Sequence, residues 1–330
     1  MSMIKKMNTS PDHRILKALR ASAVHLPAGD LAGQTGLAPG VVATRIPELR
    51  AAGYTIDEQP HLGYRMLAAP DRLIADDLSG MLEDCKLVRE ILVFEETDST
   101  NNVVTQLGRN SAGEGLVVFA ETQKAGRGRL GRKWESASRK GLWFSLLMRP
   151  RFPMQTWTRL TTWAAVGAAT GIEEVTGCRT AIKWPNDIYI EGKKVVGILS
   201  ESHAGREAFA VVGIGVNVNQ TDFPEPISKT ATSLALAAGH PLDRQEVAAA
   251  ILRGLDHWSR KLEDGFSEIV AAAEERSYLR GRRVELLFGD RTLTGIAGSL
   301  DENGALLVIT PDGAQVSVAS GEVTVAAHRL

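Results

Sequence analysis

The chain is predicted to be an α+β protein built in three parts. Three observations carry that expectation. Three short amphipathic helices and a hairpin fill residues 1–70, strands and helices alternate over 71–278, and short strands separated by Gly, Asp and Asn turns fill 279–330.

In the first part, Ile15, Leu16 and Leu19 give one apolar helical face, Leu31, Ala32 and Leu37 a second, and Val41, Val42, Ile46 and Leu49 a third. Gly36 falls between the second and third, where a tight helix–helix turn needs a small residue. Segments 54–57 and 63–67 read as strands joined at Gln59-Pro60-His61, so the order is that of a winged helix-turn-helix; a proline-bearing linker follows at 68–71. In the second part, 91–94, 115–121, 142–148, 188–190, 194–201 and 209–218 are expected strands, rich in Val, Leu and aromatics. Residues 156–176 and 244–262 are expected long helices, the latter capped by Asp243. In the third, 283–287, 291–299, 304–309 and 314–318 are expected to form a small β-barrel.

With 38 Lys and Arg against 39 Asp and Glu, bulk charge points to neither a membrane surface nor nucleic acid. Residues 1–67 carry eight Lys/Arg against five Asp/Glu, which hints at an anion-binding N-terminal module. Cys85 and Cys178 have no metal-type spacing, which fits a reducing compartment. No apolar run suits a signal peptide or a membrane span, so a cytoplasmic protein is expected.

The chemistry concentrates in a few segments. In loop 126–132, Gly126, Gly128 and Gly131 alternate with Arg127, Arg129 and Arg132. Glycines let backbone N–H groups approach an anion, and guanidinium groups add forked donors. Such a loop suits a phosphate or carboxylate and should be mobile when empty, with Trp134 able to close over a planar ring. Alone it is equally compatible with an RNA-binding linker, and it lacks the terminus of a P-loop. In Lys183-Trp-Pro-Asn-Asp187, Pro185 fixes a turn while Asn186 and Asp187 offer an amide for a purine edge and a carboxylate for Mg²⁺, a ribose or an ammonium; a plain Asx turn would look the same. Lys194 enters an apolar strand, either as a charge partner for an anion or as a solvated edge lysine. Glu96-Thr-Asp-Ser-Thr-Asn101 opens a helix with hydroxyls that either cap it or meet a ligand. Glycines in Gly213-Ile-Gly-Val-Asn-Val-Asn219 let a ligand lie against a strand.

Taken in order, ETDSTN, TQKAGRGRLGRKW, GLWFSLLMRP, KWPND, GKKVVGILSE and VGIGVNVN resemble the bifunctional biotin–protein ligases that double as the biotin operon repressor (the BirA family). The resemblance covers nearly the whole chain and implies a class II aminoacyl-tRNA synthetase-like catalytic domain with an SH3-like C-terminal barrel. It implies that Ser99, Thr100, Asn101 and Gln123 bind the biotin head group and its surroundings. Arg127, Gly128 and Arg129 would cover the biotin carboxyl and the phosphate, with Lys194 against the same group. Gly197 and Gly213 would shape the biotin slot, and Arg129, Arg132, Trp134, Asn186 and Asp187 would serve the adenylate side. The implied reaction activates biotin with ATP and Mg²⁺ to biotinyl-5′-AMP, then transfers biotin to a lysine of the biotin carboxyl carrier protein of acetyl-CoA carboxylase. Arg127, Arg129, Lys194 and Mg²⁺ would neutralise charge, and Asp187 is the candidate base for the attacking amine. Replacing Arg127 by Gly is expected to let activated biotin escape. A lipoate–protein ligase shares the fold and chemistry; the RGR loop followed by KWPND and the N-terminal helices favour biotin. A regulator that only senses a small acid is the non-enzymatic rival.

The resemblance also implies operator DNA of biotin-synthesis genes as a partner and a ligand-linked homodimer that pairs sheet edges. Thr44 and Arg45 are the expected readers of base edges and Arg50 a backbone contact. Here the sequence departs from the family: the third helix lacks its usual polar start, Pro47 should kink or end it, and the wing turn carries no Lys or Arg. At the far end, Gly321-Glu-Val-Thr-Val325 is followed by Ala326 where the family tends to carry an arginine; Arg329 comes later and Glu322 remains.

Overall fold

A computed structural model describes residues 10–205, 207–289 and 291–325. Ala326 and Arg329 lie outside the described residues, as do residues 1–9.

The first apolar faces form α1 (Pro11–Arg20), α2 (Ala28–Thr35) and α3 (Pro39–Ala51), followed by an antiparallel pair, β1 (Thr55–Gln59) and β2 (Gly63–Ala68). Ser10 caps α1 by accepting from His13 N, and Gly36 ends α2 in the left-handed conformation. Ile15, Leu16, Leu31, Val42, Ile46 and Leu49 meet in one buried cluster, as the periodicity requires. Pro47 does not end the third helix: α3 runs on to Ala51 with the proline inside it. Pro47 lies on the exposed side, so the Ala43 carbonyl that it leaves without a donor is open to water, while Ile46 and Leu49 stay in the core.

After α4 (Ala75–Met81) come β3 (Glu90–Thr97), α5 (Thr100–Arg109), β4 (Leu116–Gln123), β5 (Gly141–Met148) and α6 (Arg159–Thr176). Then follow β6 (Ala181–Lys183), β7 (Asp187–Ile190), β8 (Lys193–His203), β9 (Phe209–Asn217), α7 (Leu234–Ala238), α8 (Arg244–Ser259) and α9 (Phe266–Glu275). The strands make one mixed sheet in the order β3-β4-β5-β9-β8-β7-β6; only β3 and β4 run parallel, and α5 connects them. α6, α8 and α9 cover one face with the largest core, and α5 packs on the other around Val104, Leu147, Phe209 and Val211. Period-two alternation therefore splits each central strand. Phe144, Ile198 and Ile214 face the large core, while Ser145, Gly197 and Gly213 face the side that carries α5 and the cleft.

The chain ends in a five-stranded antiparallel sheet of β10 (Arg283–Phe288), β11 (Arg291–Leu300), β12 (Leu306–Ile309), β13 (Gln315–Val318) and β14 (Glu322–Val325), in the order β13-β12-β11-β10-β14. Four of these strands are legible in the sequence; β14, which pairs with β10, is not. Nor is the three-residue β6.

Two buried polar joints tie the N-terminal helices and the linker to the helices and sheet that follow. Asp77 accepts from Arg20 (2.6 and 2.9 Å), from the Tyr54 hydroxyl (2.9 Å) and from Gln245 Nε2 (2.8 Å). Burial, reinforced by Asp77, pushes the Tyr54 hydroxyl far above the usual phenol range. Nearby, Glu121 at the end of β4 accepts from Arg244 (2.6 Å) and from the backbone N–H of Leu73 (2.6 Å), which fixes the linker against the sheet.

Candidate active site

A cavity of about 530 Å³ opens between the sheet face, loop 126–134 and the first residues of β14. Its floor is the paired Gly197 of β8 and Gly215 of β9, where any Cβ would collide with the Trp134 indole. Trp134 thus lies flat on two glycines, edge-on to the buried Trp143 with ring centroids 6.2 Å apart. The Lys194 ammonium stands 5.3 Å from its ring.

The Gly/Arg loop is itself a small hairpin. Gly128 N–H donates to Arg132 O (2.7 Å) and Trp134 N–H to Gly126 O (2.9 Å), while Leu130 at the tip has a positive φ and is 73% exposed. Its three arginines go to three different places. Arg127 faces Glu201 of β8 at 3.3 Å. Arg129 donates to Asn186 Oδ1 (3.2 Å) and to the Gly321 carbonyl (3.1 Å), and Arg132 pairs with Glu322. The loop is therefore held to both the central sheet and the C-terminal sheet.

At one end of the cleft stands a polar cluster. Ser99 occupies the N-cap position of α5, yet its hydroxyl makes no cap bond. The capping role passes to Gln123, whose Oε1 accepts from Thr100 N–H at 2.9 Å and lies 3.2 Å from its hydroxyl. Asn101 is buried, with its Oδ1 accepting from the Ser145 hydroxyl (2.6 Å) and its Nδ2 donating to Glu201 (2.5 Å). Gly213 provides the room: a Cβ there would fall 3.0 Å from Asn101 Cγ and closer still to its oxygen.

At the other end, the Trp184–Pro185 peptide is cis and the turn carries Lys183, Asn186 and Asp187 into the cleft. Asn186 spends its amide within the protein, donating to Ile198 O (3.0 Å) and accepting from Arg129. Asp187 Oδ1 lies 2.7 Å from Lys194 Nζ, but off the directions of a hydrogen bond, so this buried oxygen is compensated in charge while lacking a hydrogen-bond donor. Burial is the main influence on Lys183 and lowers its pKa below the ordinary lysine value, with the neighbouring Lys194 adding to the effect and Asp187 opposing it. Burial likewise lowers the pKa of Arg129.

The cleft thus brings together Ser99, Thr100, Asn101, Gln123, Arg127, Gly128, Arg129, Arg132, Trp134, Asn186, Asp187, Lys194, Gly197 and Gly213, as the sequence reading expected. Thr44, Arg45 and Arg50 lie elsewhere, on α3. There the Thr44 hydroxyl donates to Gly40 O (2.9 Å), Arg45 is clamped by Asp12 and Glu48, and Arg50 meets Glu58 at 3.2 Å and Ile56 O at 3.0 Å. Missed from sequence were Lys183, Ser145, Gly215 and Glu201. Lys183 and Glu201 stood at the ends of motifs already singled out and Gly215 inside one, without a role of its own; Ser145 follows only from strand register.

Comparison with known proteins gives the family. The profile of the biotin/lipoate A/B protein ligase family matches residues 93–219, and that of the biotin protein ligase C-terminal domain matches residues 280–325. The chain belongs to the biotin protein ligase family. It is 38% identical over 283 residues to the bifunctional ligase/repressor BirA of Bacillus subtilis, covering 84% of this chain and 87% of that protein. It is 33% identical over 243 residues to the biotin–[acetyl-CoA-carboxylase] ligase of Mycobacterium tuberculosis, covering 71% of this chain and 88% of that one. Among solved structures, the biotin protein ligase of Aquifex aeolicus in complex with biotin and ATP superposes with a TM-score of 0.63 at 33% identity, covering 72% of this chain and 98% of that one. Among the described residues no helix is long and apolar enough to cross a membrane.

Proposed function

We propose that the chain is a biotin–[acetyl-CoA-carboxylase] ligase that activates biotin with ATP and passes it to a lysine of a biotin carboxyl carrier protein. The observation that carries this reading is the single cleft in which a neutral polar cluster at Asn101 leads to three cations, Arg129, Lys183 and Lys194, gathered round Asp187. A ligand with a polar head and an anionic tail fits that gradient.

In the first step a carboxylate oxygen of biotin bonds to the α-phosphorus of ATP while the α–β phosphoanhydride bond breaks and pyrophosphate leaves. Both reactants are anions, so Arg129, Lys183 and Lys194 lower the barrier by neutralising charge and orienting the carboxylate. No general base is needed, since the carboxylate is already ionised. Mg²⁺ carried on the phosphates fits Asp187, whose Oδ1 is buried without a hydrogen-bond donor; it would add charge neutralisation there. In the second step the acceptor amine bonds to the acyl carbon, the bond to AMP breaks, and the amine proton is lost, with Asp187 the carboxylate at hand. The loop 126–132 and Trp134 cover the adenylate and keep water out.

The fold reading that goes with this function divides the chain at 1–70, 71–278 and 279–330, with a synthetase-like centre and an SH3-like end. The N-terminal three helices and hairpin are read as a winged helix-turn-helix that binds operator DNA of biotin-synthesis genes. A homodimer suits a two-fold DNA site, and β8 offers an edge for it: β7 pairs with β8 only as far as Gly197, and Asn186 takes up both backbone groups of Ile198, leaving 199–203 without a strand partner on that side. The free cysteines Cys85 and Cys178 fit a cytoplasmic protein.

The test mixes protein, ATP, Mg²⁺ and biotin and follows pyrophosphate release together with a mass for biotinyl-5′-AMP. Turnover with lipoate in place of biotin, and none with biotin, would overturn the substrate assignment. Gel shifts with and without the adenylate test the repressor role.

A further inference from the structure

Glu201 closes the motif GKKVVGILSE without a role of its own. It sits on β8, opposite Val211 of β9, and its side chain is one-third exposed. Its Oε2 accepts from Asn101 Nδ2 at 2.5 Å, and both its oxygens lie 3.3 Å from Arg127 Nη2. One carboxylate therefore joins the buried amide of the head-group cluster to the first arginine of the lid. Glu201 does not itself line the cavity, whereas Asn101 and Arg127 do.

We infer that Glu201 is a positioning residue with two separable arms, one fixing the Asn101 amide and the other anchoring the entry end of the lid. The first arm sets which way the Asn101 carboxamide faces. With Nδ2 committed to a carboxylate, Oδ1 must face Ser145, and the pair is locked over Gly213. The second arm divides the work of the two leading arginines. Arg127 serves as an anchor at the head-group end, while Arg129, bonded to Asn186 near Asp187, is left to meet the reacting anion. An ion pair this exposed adds little to global stability. Its effect is to keep a short hairpin in register over the cleft. The inference rests on the biotin-activating reading for its kinetic consequences, but not for the anchoring itself.

The two arms respond to different substitutions. Glu201→Gln keeps an oxygen that can accept from Asn101 and loses the charge that holds Arg127; Glu201→Ala loses both. In single-turnover experiments, Glu201→Gln and Arg127→Met are each expected to speed release of biotinyl-5′-AMP by roughly two- to fivefold, the scale of a partly exposed ion pair. The double variant should release no faster than either single one. Glu201→Ala should in addition raise the KM for biotin by about tenfold, as loss of a charged acceptor to a buried amide implies, with the KM for ATP unmoved. Without any ligand, Glu201→Gln should also speed trypsin cleavage after Arg129, Arg132 or Lys133, read by mass spectrometry. Multiplying effects in the double variant, or a wild-type trypsin rate in Glu201→Gln, would overturn the lid anchor. A wild-type biotin KM in Glu201→Ala would overturn the Asn101 arm. If the wild-type protein releases no pyrophosphate, the biotin reading falls, and the trypsin rates still decide the anchor.

Discussion

Gly213→Ala is the smallest substitution that separates the head-group cluster from the rest of the cleft. The new methyl would sit 3.0 Å from Asn101 Cγ and 3.2 Å from its Nδ2, inside van der Waals contact. Asn101 is only 4% exposed and is held by Ser145 at 2.6 Å and Glu201 at 2.5 Å, so it can move only by giving up one of those bonds. Overpacking of this kind costs about 1–3 kcal/mol, and a buried amide left short of a partner costs about 1–3 kcal/mol. Partial relaxation of the backbone places the sum at about 2–4 kcal/mol. Urea unfolding should register that loss as a lower midpoint at unchanged slope. Titration calorimetry with biotin should show affinity down by at least about tenfold, the equivalent of one lost hydrogen bond, while ATP affinity holds. Wild-type values in both measurements would refute the locked amide. A lower midpoint with wild-type biotin affinity would refute the placement of the head group against Asn101.

Glu121→Gln should be costly for stability rather than chemistry. Glu121 and Arg244 are paired at 2.6 Å with side chains only 2% and 1% exposed, so breaking the pair is expected to destabilise by about 3–5 kcal/mol; a urea midpoint close to wild type would contradict this. The lowered pKa of Lys183 predicts a pH dependence. Bound phosphates favour its charged form, so ATP affinity should fall as pH rises through the depressed value, below the ordinary 10.5, with proton uptake on binding. Lys183→Arg stays charged and should flatten that fall; equal slopes in both proteins would count against a role for Lys183 at the phosphates. On the N-terminal module, Asp12→Asn with Glu48→Gln frees Arg45 from its clamp. Binding to operator DNA should then strengthen more than binding to unrelated DNA, since a freed Arg45 can reach base edges; an unchanged ratio of the two affinities in fluorescence anisotropy would show that Arg45 does not read them.

Much of the fold was legible because its elements are long enough to express a period. Helices α1 to α3 and the strands of the central sheet carry their apolar residues at the spacing their geometry demands. The strands that escaped, β6 and β14, span three and four residues, too few for alternation to stand out from chance. That Pro47 does not end α3 was not legible for a different reason: its effect depends on which side of the helix it occupies, and it lies on the solvent side.

The cleft was legible to a similar depth. Cations that lie together in sequence, as Arg127, Arg129 and Arg132 do, can be read as an anion site. The groups that hold them come from far away: Glu201 is 74 residues from Arg127, Asn186 is 57 from Arg129, and Glu322 is 190 from Arg132. No spacing rule links such partners; they meet only because register places β8 and the start of β14 beside one loop. The distinction changes the physics of the loop. A free Gly/Arg string would gain its order only from the ligand, whereas here two carboxylates hold the hairpin to two different sheets beforehand. An incoming carboxylate or phosphate must then compete with Glu201 and Glu322 for the outer arginines, but it finds Arg129 bonded only to neutral oxygens, those of Asn186 and Gly321. The arginine that needs least desolvation and no exchange of ion partners is therefore Arg129, the one bonded to Asn186 beside Asp187.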